Sequence, residues 1–127
     1  MIRTVRIPVT TSGADGAATG EGYSDYPLNG LLRRLEVDWD ATAPGATSDI
    51  VVTVEADERH PEVTLYSKSD AATDVVVHPM LQAAGTDGNA IDGVHTPIPV
   101  AGRIKVAIAG CNALDPAATV HAYVSEE

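Results

Sequence analysis

The chain predicts an all-β fold, an antiparallel β-sandwich of jelly-roll or Greek-key type with seven or eight short strands. Three observations predict it. Apolar residues alternate with polar ones in several short runs, the period that places every second side chain on one face of a strand. Turn-forming residues separate these runs. No stretch carries the apolar spacing of a long amphipathic helix.

The first strand is expected at about 2–10, where Met1-Ile2-Arg3-Thr4-Val5-Arg6 opens the chain. The next, about 31–39, places Leu31, Leu35, Val37 and Trp39 on one side, with Arg33 the only intruder, and Leu32, Arg34, Glu36 and Asp38 on the other. Ile50, Val52 and Val54 mark a strand at about 49–56, and Val63 and Leu65 one at 62–67. Further strands are expected at 73–78, 103–109 (Ile104, Val106, Ile108) and 118–125 (Val120, Ala122, Val124), with an extra one near 94–100. Thr11-Ser12-Gly13-Ala14-Asp15-Gly16 reads as a loop, Asn29-Gly30 as a tight turn with positive φ, and Ala43-Pro44-Gly45 and Arg59-His60-Pro61 as breaks. The runs Gly13–Asn29 and Leu81–Thr96 are too long for simple hairpins and read as crossing loops; Pro79–Ala84 is read as room for one helical turn.

The length supports a single domain spanning 1–127. Aromatic residues are only 4% with no Phe, so Val, Ile, Leu and Ala must fill a thin interior between two sheets. The single cysteine, Cys111, excludes an internal disulfide and a cysteine-based zinc knuckle, and reads as a buried structural thiol. No segment approaches the roughly 18 apolar residues of a membrane helix, and the N-terminus reads as a strand rather than a leader, so a soluble protein made in the cytoplasm is expected. The net charge of −10 argues against direct nucleic-acid binding. The first ten residues carry Arg3 and Arg6 and no acid, leaving −12 on the remainder. Two readings stay open: a self-repelling acidic surface, or strand 2–10 as a basic docking arm for an acidic partner. Leu32, Val51, Tyr66, Val76 and Tyr123 fall on the outward parity, and if clustered they would mark an interface.

The sequence shows no recognisable catalytic or metal-binding motif. His60, His78, His95 and His121 show no ligand spacing. Gly85–Gly93 resembles a calcium loop, but Ile91 stands where an oxygen ligand belongs, and the position twelve from Asp87 is Ile98; a looser carboxylate pair, Asp87 with Asp92, stays open. There is no Gly-x-Ser-x-Gly elbow, no Cys/His motif around Cys111 and no phosphate-cradling loop. Carboxylate pairs such as Glu36/Asp38 and Glu126/Glu127 read as solvated faces. The expectation is a protein that is not an enzyme and needs no cofactor and no metal.

Three stretches carry a resemblance. Tyr26-Pro27-Leu28-Asn29-Gly30-Leu31-Leu32 runs into Leu35-Glu36-Val37-Asp38-Trp39-Asp40; Thr47-Ser48-Asp49 leads into Ile50–Glu55; and Pro97-Ile98-Pro99-Val100-Ala101-Gly102 approaches Arg103–Val106. Their order, over most of the chain, resembles the head decoration (cement) proteins of tailed bacterial and archaeal viruses. His78-Pro79 departs from the pattern, standing where similar proteins tend to have an aromatic–proline pair. The resemblance implies a structural virion protein on the capsid surface, a β-sandwich that binds the major capsid protein, often as a homotrimer, and reinforces the head. On that reading Arg3, Arg6, Leu32 and Arg34 are the expected capsid or subunit contacts. A tail, fibre or head-spike module for host adhesion is the alternative, and a carbohydrate-binding module the third.

Overall fold

The structure is a computed structural model that describes residues 1–41 and 44–126. Among the described residues there are ten strands: β1 (Ile2–Val9), β2 (Ala18–Tyr23), β3 (Leu28–Trp39), β4 (Asp49–Val54), β5 (Val63–Lys68), β6 (Val75–Val77), β7 (Met80–Ala84), β8 (Ala90–Gly102), β9 (Ile104–Cys111) and β10 (Ala118–Ser125). They form two sheets, one in the order β1-β10-β3-β8-β7 with β6 also on β3, the other β2-β9-β4-β5. Every pairing is antiparallel. With β6 and β7 set aside, the remaining eight strands take the places one-eight-three-six facing two-seven-four-five. That is the double Greek key of a jelly roll. Among the described residues no helix is long and apolar enough to cross a membrane.

The alternating runs supply both inner faces. Leu35 and Val37 of β3, Val120, Ala122 and Val124 of β10, and Ile7 and Val9 of β1 meet Ile50 and Val52 of β4 and Ile104, Val106 and Ile108 of β9 in one core. Val, Ile and Leu make up most of this core, consistent with the near absence of aromatics. Trp39 is the large exception, 6% exposed at the end of β3, where its backbone N–H donates to Asp74 Oδ1 at 2.7 Å. Cys111 is fully buried and its thiol donates to the Pro44 carbonyl at 3.2 Å.

Three expectations change here. First, the run before Leu28 is not simply a loop but contains β2, whose Gly20 and Gly22 lie against β1. A Cβ on Gly22 would stand 2.7 Å from the Pro8 carbonyl oxygen, so the strand must be glycine-rich where the two sheets join, and glycines show no apolar alternation. Second, Asn29-Gly30 is not a turn. Both lie inside β3, and a Cβ on Gly30 would overlap the Ser125 carbonyl of β10. Third, 81–96 is neither a crossing loop nor a helical turn but the hairpin β7–β8, with the Gly85–Asn89 turn at its tip. Strand 2–10 is a paired member of the sandwich, with β1 bonded to β10 over its whole length and Ile7 and Val9 buried. The loop at Ser12–Gly16 is as expected, with Gly13 and Gly16 at positive φ. Of the break Ala43-Pro44-Gly45, Ala43 lies outside the described residues, as does Glu127.

Arg33, the intruder in the alternation of β3, has a structural cause. The register of β3 against β10 pairs Arg34 with Tyr123 and Leu32 with Val124, so Arg33 is the extra residue of a β-bulge. One extra residue inverts the parity of everything before it. Leu32 therefore turns inward and is 1% exposed, while Arg33 is exposed.

Candidate functional site

The outer face of the six-stranded sheet is built by cross-strand register. Arg6 of β1, His121 of β10, Glu36 of β3 and Val76 of β6 stand in one row. Thr4, Tyr123 and Arg34 form the next. Directly opposed residues on adjacent strands lie close enough to interact, and here they do. Arg34 Nη2 lies 3.1 Å from Glu36 Oε1, its guanidinium stands 4.1 Å above the Tyr123 ring, and the Tyr123 hydroxyl donates to Glu36 Oε2 at 3.3 Å. Arg34, Tyr123 and Glu36 thus brace one another in the middle of the face. Arg34 Nε is buried and finds no acceptor, and an unsatisfied buried donor costs about 1–3 kcal/mol.

Four of the eight Lys and Arg residues of this −10 chain, Arg3, Arg6, Arg33 and Arg34, belong to β1 and β3. Among the described residues, neither Arg6 nor Arg33 makes an ion pair, although both are exposed. Two concavities flank the braced trio. One, about 340 Å³, is lined by Glu36, Asp38, Asp74, Val76 and His121. The other, about 260 Å³, is lined by Ile2, Arg33, Arg34, His78 and Tyr123.

The structure brings Arg6 and Arg34 into neighbouring rows and separates the other two expected contacts from them. Leu32 is in the core, by the bulge, and is corrected as a contact residue. Arg3 has the inward parity of Val5 and Ile7 and closes the end of the sandwich, 3.6 Å from Glu126 and over the Tyr26 ring at 5.1 Å. Of the other outward apolar candidates, Val76 and Tyr123 share this face, Val51 is on the opposite sheet, and Tyr66 packs against the core. No local pattern joins Arg33, His78 and Ile2, which only the bulge and the β6–β7 connection juxtapose.

Among the described residues no group of three or more His, Cys, Asp or Glu is placed to hold a metal ion. Asp87 in the Gly/Asp loop accepts from the Asn89 backbone N–H at 3.0 Å and from its side-chain amide at 3.1 Å. Among the described residues several aromatic rings are covered or engaged, although Tyr26 stays 52% exposed. Trp39 is buried, Tyr26 lies under Arg3, and Tyr23 lies under Arg103 at 5.0 Å while its hydroxyl donates to Glu21 at 2.7 Å. That bond holds the Glu21 carboxyl below the usual carboxylate range, with Lys105 helping, and raises the Tyr23 phenol.

No family model matches the chain, and no curated protein matches it. Among solved structures it is similar to a point mutant of a family 29 carbohydrate-binding module studied for its ligand recognition, at 13% sequence identity and a TM-score of 0.39, over 97% of this chain and 78% of that one. At that level the likeness carries no residue and no ligand over to this chain.

Proposed function

We propose that the protein is a non-enzymatic structural component of a virion head, docking on the major capsid protein through the outer face of its six-stranded sheet. The observation that carries this reading is the row Arg6–His121–Glu36–Val76, where an exposed arginine without an acid partner and an exposed valine sit on an otherwise acidic molecule. The order of the three stretches that resemble head decoration proteins supports the capsid as the partner. A protein that binds only the assembled lattice stabilises that state by RT ln(1 + [L]/Kd), about 3–4 kcal/mol per site at concentrations 100- to 1,000-fold above Kd. Repeated over a shell, this offsets the outward pressure of packaged DNA. The acidic remainder of the surface keeps covered particles apart.

The test is co-sedimentation of the purified protein with heads that lack it. Arg6→Glu places an acid in the row without touching the core or the Arg34–Glu36 pair, and is expected to weaken binding about tenfold or more. Arg3 is left in place, because its reversal would also break the contact with Glu126. Binding by the variant equal to that of the unaltered protein would remove this face from the assignment.

A further inference from the structure

The hairpin from Met80 to Thr96 leaves the sandwich. β8 pairs with β3 only from Ile98 to Gly102; its first half pairs with β7 alone, and no residue from Met80 to Pro97 belongs to the core. Met80, Leu81, Ile91 and Val94 are all exposed on this arm. A two-stranded hairpin with nothing packed against it is at best marginally stable in water. The arm carries two acids, Asp87 and Asp92, and neither Lys nor Arg. Among the described residues Asp92 makes no ion pair.

At the root of the arm lies its chemical complement. The concavity of about 260 Å³ combines Arg33, Arg34 and His78 with the exposed Ile2 and the Tyr123 ring. Arg33 has no acid partner among the described residues, and Arg34 Nε is buried without an acceptor. The five residues of β7 put the arm's own tip about 17 Å from this root at the usual rise per strand residue. The tip, with Asp87, therefore does not reach its own cleft, and Asp92, nearer the root on β8, makes no ion pair with Arg33 or Arg34 of its own chain among the described residues.

We propose that the occupant of the cleft is the arm of a second copy of this chain, with Asp87 at its tip and Asp92 behind it on β8 meeting Arg33, Arg34 and His78, and Ile91 covering Ile2. The contact joins two different surfaces, so it is heterologous, and repeated in one sense it closes into a ring when the rotation allows. The opposite charges select the register, and burying Ile91 and Ile2 removes apolar surface from water. The contact stands independently of what the Arg6 row binds, since it forms between copies of the isolated protein.

Sedimentation velocity of the full chain over a range of concentrations tests it. The unaltered protein is expected to form a discrete oligomer that weakens as salt rises. Asp92→Arg and Arg33→Glu, both at exposed positions, are each expected to shift its dissociation at least tenfold toward monomer, and the double variant Asp92→Arg/Arg33→Glu to restore assembly. Circular dichroism confirms that each variant is folded. A protein that stays monomeric throughout would overturn the proposal. So would an oligomer indifferent to Arg33→Glu but lost with Asp92→Arg, which would mean that arms meet arms.

Arm order carries its own pH dependence. The Asn89 N–H and amide hold the Asp87 carboxyl below the usual aspartate range. A carboxyl depressed in the folded state stabilises it above the unfolded range, and that contribution is lost as pH falls through the folded range. The Asn89 amide resonance is expected to hold its folded position through the ordinary aspartate range and move only at lower pH. Movement within the ordinary range would show that the turn is not held by Asp87.

Discussion

Leu32→Asp is expected to destabilise the protein by about 4 kcal/mol or more, enough to unfold a domain of ordinary stability. Leu32 is 1% exposed beneath the bulge at Arg33. A carboxylate there has no partner, so it must either lose its charge or open the core. Leu31→Asp, one residue earlier and half-buried, is expected to cost far less. Uninterrupted alternation from Leu31 to Trp39 demands the reverse order. Urea unfolding of the two variants decides between them: equal midpoints, or a more stable Leu32→Asp, would contradict the bulged register.

Gly30→Asn is the second large effect. In a tight turn with positive φ asparagine is among the best replacements for glycine. Inside β3 any Cβ at position 30 meets the Ser125 carbonyl, and either β10 shifts or its pairing with β3 is lost. Overpacking of this kind costs about 1–3 kcal/mol, and more where backbone must move. Chemical denaturation is expected to show a loss in that range, with Gly30→Ala destabilised as well. Wild-type stability for Gly30→Asn would return this dipeptide to a turn.

These two positions mark where local pattern and tertiary structure diverge. Where apolar residues strictly alternate, as in Ile104–Ile108 and Val120–Val124, strand, face and core membership follow directly from the sequence, because a two-residue period allows one burial pattern. A bulge breaks that logic. Arg33 showed as an anomaly, but whether the residues before or after it keep the inward parity depends on Val124 and Tyr123, some 90 residues away. β2 was invisible for another reason. Gly20 and Gly22 are there to let carbonyls of β1 approach, which leaves no hydrophobic signature. The arm escaped because Leu81, Ile91 and Val94 face no core, and the turn residues Gly85, Asp87, Gly88 and Asn89 read as loop.

The site was legible in part for the same reasons. His121 and Tyr123 lie on a regular strand, and their outward parity follows from the alternation, as the structure has it; Arg6 of β1 stands opposite His121. That they face one sheet together, in register with Arg34 and Val76, follows from the jelly-roll order, which places β10 between β1 and β3. No local pattern encodes that order. Arg3 shows the limit of parity at a strand end, where an inward position meets solvent and its side chain caps the sandwich instead of joining the face.

The most direct measurement of the central reading is immunogold electron microscopy of particles from the source culture, using an antibody to this protein. Docking through the Arg6 row on a repeating capsid lattice predicts dense label over the whole head. Label confined to the tail or to one vertex, or unlabelled particles with the protein free in the cells, would contradict it.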